Sequence, residues 1–168
     1  MSAVGKNVTK VDAFKLARGE AVYTDDYRPP GMLWAKVLRS PHPHARIKKV
    51  NASKALALDG VVDVIWHTDV KAIPHTRAGQ SYPEPSPYDT VVMPEKARFA
   101  GDRVAVVAAE TLAAAERALP LIDVKYEELP AINDMDEALT RTDVLIHEDP
   151  DPRGIAEGGK SNVCARID

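Results

Sequence analysis

Apolar residues gather in short runs along this chain, with glycine, proline and charged residues in the gaps, and the period within each run predicts its element. Met32, Leu33, Trp34, Val37 and Leu38 make 32–39 an apolar, β-tolerant run, closed off by Pro29-Pro30-Gly31 before it and Ser40-Pro41 after it. Residues 45–50 form a second strand; Arg46, Lys48 and Lys49 give it either a solvated face or an exposed edge. Asn51 or Ser53 is expected to cap a short helix through Leu58, with Gly60 as the left-handed stop and the turn back. The β-branched run 61–66 follows as a strand buried inside a sheet, after which Thr68 or Asp69 is expected to cap one helical turn.

Prolines 74, 83, 85, 87 and 94 remove amide donors and fix φ, so no regular element is expected between Ile73 and Ala97. A loop of that length in a compact domain usually binds something or packs against a partner. Order resumes at the turn Phe99-Ala100-Gly101-Asp102, and the near-continuous apolar run 103–109 predicts a central strand covered on both faces. Thr111 is the expected N-cap of a helix over 112–119 whose inner face is Leu112, Ala115 and Leu119, and Pro120 ends it or kinks it. Strict alternation over 122–127 predicts a strand with one buried face. Asp134 or Asp136 then caps a helix through Leu139, followed by an apolar cluster at 144–147. Residues 150–162 have a linker's composition, and 163–167 reads as the start of another strand. Residues before Gly19 show no period and are expected to lie across a neighbouring surface or move freely.

The chain has 168 residues, enough for one ordinary core and too few for two large ones. At 45% hydrophobic and 28% charged it has the composition of a globular protein, and a net charge of -3 offers no broad cationic surface for nucleic acid. The single cysteine, Cys164, has no internal disulfide partner and cannot alone supply a zinc or iron-sulfur ligand set. No apolar run approaches membrane-spanning length and the first residues lack a secretory apolar core, so a cytoplasmic protein with no membrane partner is expected.

Candidate chemistry is sparse. Residues 154–161, Gly-Ile-Ala-Glu-Gly-Gly-Lys-Ser, match the phosphate-loop pattern, but that loop works only between a buried strand and a helix, and the flanking sequence supplies neither. A linker is the preferred reading, and no protection of Lys160 by ATP is expected. His42 and His44 form an H-x-H pair, interrupted by Pro41 and Pro43, for which solvated turn histidines are preferred over a metal site. His67, His75 and His147 are isolated, and the acidic pairs Asp25-Asp26 and Glu127-Glu128 point opposite ways on extended chain. No serine elbow is present, and Glu110-Thr111 joins strand to helix without the glycines that dinucleotide binding needs.

A longer set of phrases carries more information. Ala21-Val22-Tyr23-Thr24-Asp25-Asp26, Gly31-Met32-Leu33-Trp34-Ala35, Arg39-Ser40-Pro41-His42-Pro43-His44-Ala45-Arg46-Ile47 and Asp59-Gly60-Val61-Val62-Asp63-Val64 resemble the α/β hammerhead domain of xanthine dehydrogenases and aldehyde oxidases. The second half, Phe99-Ala100-Gly101-Asp102-Arg103 through Glu110-Thr111 to Val124-Lys125-Tyr126-Glu127-Glu128-Leu129-Pro130, is similar to that family in order and spacing. The opening stretch around Gly5-Lys6 and Val11-Asp12 resembles the start of large subunits encoded as separate chains, which implies a true N-terminus.

The resemblance implies an α+β fold: a mixed, mostly antiparallel sheet with two or three short helices packed on it. It also implies an N-terminal arm over 1–18, the hammerhead domain over 19–149, and over 150–168 a linker with the truncated start of a molybdenum-binding domain. The function implied is that of the N-terminal structural domain of a molybdenum hydroxylase, inactive alone; a free-standing adaptor or ligand-binding protein of the same fold is the alternative. No catalytic, cofactor-binding or metal-binding residue is assigned to this chain. The parent enzyme is expected to use molybdopterin, iron-sulfur clusters and FAD, and the partners to be the downstream molybdenum-binding domains and the iron-sulfur and FAD subunits. Between Tyr82 and Pro94 the proline-rich loop is the expected docking surface.

Overall fold

The structure, a computed structural model, describes residues 4–77, 87–150 and 159–163. They fall into two units, one ending at Met32 and the other beginning at Leu33. In the first, helix α1 (Ala13–Ala17) occupies part of the stretch expected to be aperiodic. Successive backbone bonds such as Arg18 N to Phe14 O, 3.1 Å, hold it where side-chain pattern gave no signal. A 3-10 turn follows at Thr24–Asp26, in which Asp26 Oδ2 accepts from the Tyr23 amide at 2.9 Å.

The second unit contains strands β1 (Trp34–Arg39), β2 (Ala45–Asn51), β3 (Val61–Trp66), β4 (Lys96–Ala97), β5 (Arg103–Ala109) and β6 (Asp123–Glu128), with helices α2 (Ser53–Leu56), α3 (Leu112–Ala118) and α4 (Met135–Thr140). The strands form two three-stranded sheets, β1-β5-β3 and β4-β2-β6, and every pairing among the described residues is antiparallel. Antiparallel sheets with few short helices are as expected; the division of the strands between two sheets is new information.

β5 is the central strand foreseen, flanked by β1 and β3 in the registers Val37↔Val106 and Ile65↔Val106. Both its faces are covered in part, with Val104 and Val107 at 0% exposure, and burying a valine side chain is worth roughly 1.5 kcal/mol or more. β3 departs from expectation: it is an edge strand, so only Val64 is buried while Val62 faces water. Its β-branched run served one face, and sequence continuity could not distinguish one covered face from two.

Helices α2 and α3 pack on the β1-β5-β3 sheet around Ala55, Val64, Val107, Ala109, Ala115 and Ala118. The inner face of α3 is rotated from the predicted stripe: Ala114, Ala115 and Ala118 are buried and Leu112 is exposed. Alanines bring the helix backbone close to a strand built of Ala and Val, so they take the contact line and Leu119 flanks it. Thr111 caps the helix as expected, its Oγ1 accepting from the Ala114 amide at 3.1 Å, and Pro120 turns the chain through a 3-10 turn, Leu119–Leu121. At α2 the N-cap is Ala52, not Asn51 or Ser53. Asn51 Oδ1 instead accepts from the Ser53 amide at 3.1 Å and hydroxyl at 2.8 Å, a local turn that competes with a helical cap. Asp69 likewise accepts from the Trp66 amide in a turn that never becomes helix.

β2 is central in its sheet, so its lysines do not mark an edge. A bulge between Ile47 and Lys49 lets Lys48 and Lys49 both face solvent, and Lys48 pairs with Glu127 at 3.1 Å. β4 falls inside the loop expected to hold no regular element. Its two residues lie just past Pro94, where amide donors are restored. Asp134 caps α4, its Oδ1 accepting from the Glu137 amide at 2.9 Å.

Candidate functional site

The histidines do not converge. His42 packs against Tyr126 with the rings tilted by 60° and their centroids 4.8 Å apart, and its Nδ1 lies 3.7 Å from Glu128. His44 is buried, its Nδ1–H donates to Pro130 O at 2.6 Å, and its Nε2 has no partner among the described residues. His75 bonds to Ile73 O, and His67 Nδ1 has no partner among the described residues. Asp26 caps a turn, and Glu127 and Glu128 go to Lys48 and His42. No three His, Cys, Asp or Glu side chains among the described residues stand together as metal ligands. These residues therefore do not fit a metal centre.

Of the phosphate-loop pattern, 154–158 lies outside the described residues, as does Cys164. Gly159 and Lys160 form a turn, Ser161 Oγ accepts from the Val163 amide at 3.2 Å, and 159–163 contains no helix. A phosphate cradle needs helix amides converging on the anion, and the described residues 159–163 supply none. Of the stretch 82–94, residues 82–86 also lie outside the described residues.

What the fold does assemble is a system of clamps that the sequence did not disclose. Asp102, only 2% exposed, accepts from the amides of Arg98 at 3.1 Å and Arg103 at 2.9 Å, and Arg77 reaches it at 3.4 Å. Arg77 also lies over the Phe99 ring, 5.1 Å from its centroid, and Arg103 donates to Val91 O at 2.9 Å. With the backbone bridge between His75 and Thr90, one turn thus fixes residues 75–77 and 90–91.

A second clamp holds residues 141–148. Lys96, 2% exposed, pairs with Glu148 at 3.3 Å, and Arg46 pairs with the same carboxylate at 3.0 Å. Burial lowers the pKa of Lys96, against the pull of Glu148. Burial alone would raise that of Glu148, but Lys96 and Arg46 together hold it below the usual carboxylate range. Arg98 Nε donates to Ile146 O at 3.1 Å. Asn162 makes three bonds: Nδ2 donates to Arg141 O at 3.0 Å and Val144 O at 2.8 Å, and Oδ1 accepts from the Ile146 amide at 2.9 Å.

Between these clamps and α4 lies a cleft of about 650 Å³. Pro74, Tyr88, Val91, Ile132, Met135 and Ile146 give it an apolar wall. His147 and Asp89 also line it, with Nε2 3.9 Å from the carboxylate, and burial, with Arg98 nearby, pushes the imidazole pKa down. A neutral imidazole, a distant carboxylate and a guanidinium whose Nε is spent on Ile146 O suit recognition of an apolar group with a polar flank. Asp102 was visible in the sequence only as part of a turn, and nothing in their local pattern marked Lys96, Arg98, Glu148 or Asn162.

Residues 18–130 match the family described as aldehyde oxidase and xanthine dehydrogenase, a/b hammerhead domain. The probable hypoxanthine oxidase XdhD of Escherichia coli K12 is 43% identical over 150 residues, 89% of this chain and 16% of that protein. The nicotinate dehydrogenase large molybdopterin subunit of Eubacterium barkeri is 41% identical over 147 residues, 87% of this chain and 33% of that subunit. The solved aldehyde oxidoreductase from Desulfovibrio gigas superimposes with a TM-score of 0.68 at 30% identity, covering 82% of this chain and 16% of the other. The chain thus spans only a minor part of the length of these relatives.

Proposed function

The chain belongs to the aldehyde oxidase and xanthine dehydrogenase family, as its α/β hammerhead domain, and we propose that it is the N-terminal structural domain of a molybdenum hydroxylase large subunit. The parent enzyme oxidises a small heterocycle or an aldehyde with water as the oxygen source. This domain contributes shape and docking. The observation that carries the reading is the family match over 18–130 in a chain that spans 16% of its relative XdhD. The domain proper runs over 19–149, with 1–18 as an arm and the residues after 149 leading towards the molybdenum-binding domains.

Molybdopterin would be held by those later domains, and the iron-sulfur and FAD subunits would be partners of the whole assembly. No helix among the described residues is long and apolar enough to cross a membrane, and we place the enzyme in the cytoplasm. The stems of the irregular loop, held by Asp102 and Arg103, serve docking because a preordered surface loses less entropy on association.

Metal analysis with a xanthine and aldehyde turnover assay tests this, on the 168-residue chain and on the full-length gene product side by side. The expected result is stoichiometric molybdenum and turnover in the full-length protein, and neither in the short chain. Molybdenum or a pterin bound to the short chain in isolation overturns the reading.

A further inference from the structure

The cleft beside α4 is lined mostly by apolar residues, and the charged side chains among them are mainly acidic. Asp89, Asp134 and Asp149 line it, and Asp149 has no ion-pair partner among the described residues. Arg98 is the one lysine or arginine among the described lining residues, and the nearby Lys96 and Arg77 are already paired with Glu148 and Asp102. Met135 and Leu139 stand one turn apart on α4, 86% and 66% exposed. A single exposed apolar side chain needs no explanation, but two beside an apolar cleft make a patch of the kind that marks a contact surface.

The lining that follows α4 in the chain is preordered. Asn162 bonds to Arg141, Val144 and Ile146, and Gly159 N donates to His147 O at 2.9 Å, so residues 141–147 and 159–163 form a fixed rim. A rim fixed before association costs little entropy to dock against. The available occupant follows from length: this chain's match spans 16% of XdhD and 33% of the nicotinate dehydrogenase subunit. In proteins of that size the rest of the polypeptide is tethered to the domain and therefore meets the cleft at high effective concentration.

We propose that this cleft seats a hydrophobic segment flanked by lysine or arginine, contributed by the remainder of the same subunit outside these 168 residues. Its apolar side chains enter between Met135 and Ile146, and its cation meets the carboxylates of Asp149 and Asp89. The proposal rests on the reading of the chain as one domain of a larger molybdenum-binding subunit. It adds which surface docks and what chemistry the docked segment has.

The test uses the full-length subunit with a photoreactive benzophenone amino acid at position 135, cross-linked and mapped by mass spectrometry. The expected product joins position 135 to a peptide outside residues 1–168 of the same polypeptide, with Lys or Arg beside its apolar residues. In the same protein, Met135→Asp and Asp149→Lys are each expected to lower amide protection across Met135–Thr140 about tenfold. Cross-links to a different subunit, to a segment without basic residues, or to nothing while a small molecule co-purifies with the cleft each overturn the proposal. Molybdenum content of the same preparation keeps the two questions apart. Molybdenum with cross-links elsewhere overturns the cleft proposal alone, whereas a full-length product without molybdenum overturns the domain assignment.

Discussion

Asp102 is a carboxylate with almost no contact with water, and it is kept there by the Arg98 and Arg103 amides and the Arg77 guanidinium. Asp102→Asn preserves the shape and one acceptor but sets an NH2 group against one of the amides, leaving it unpaired at a cost of about 1–3 kcal/mol. The urea midpoint is expected to fall with the slope unchanged. Two glycines at positive φ behave differently because their surroundings differ. At Gly60, φ +82, a Cβ meets Ala114 at an ordinary 3.4 Å, so Gly60→Ala costs the left-handed strain alone, about 1 kcal/mol. At Gly159, φ +79, the same atom stands 2.8 Å from the backbone oxygen of Glu148, and backbone cannot swing aside as a flexible side chain does. Gly159→Ala is therefore expected to break the Gly159 to His147 bond and to speed proteolytic cleavage within 150–163, while Gly60→Ala leaves that rate unchanged.

At the level of elements, α3 has only seven residues and would be marginal alone. Its cap and its alanine contact with β5 hold it, so Thr111→Ala is expected to cost about 1 kcal/mol, read from thermal unfolding. The segment 141–148 has no helix beyond Thr140 and no strand, and is held by side chains instead. The Glu148 carboxyl has a lower pKa in the fold than its ordinary 4.5, so below that value the unfolded chain binds more protons than the folded one. The contribution of Glu148 is accordingly present above pH 4.5 and lost as pH falls through its folded value. Amide protection over 145–148, relative to the intrinsic exchange rate at each pH, is expected to fall in that acid window, and Glu148→Gln to remove the acid dependence.

For the whole molecule, the two clamps explain why residues well past β6 belong to the packing of the unit. Removing 150–168 deletes the three bonds of Asn162 and is expected to lower the melting temperature and expose 141–147 to exchange. The sequence by itself determined the elements with a clean local period or cap: β1, β5, the Thr111 cap, the Gly60 turn and the family phrases from Ala21 to Pro130. Those signals lie within a few residues of one another, because turn dihedrals, helix caps and strand alternation are set by near neighbours. Which sheet each strand joined, the edge position of β3, the lysine bulge of β2 and the cleft beside α4 were decided only in three dimensions. Arg46 and Glu148 meet across 102 residues and Lys96 bonds across 49. Each of these charges, seen locally, looks like any solvated surface residue until the fold brings its partner and removes the water.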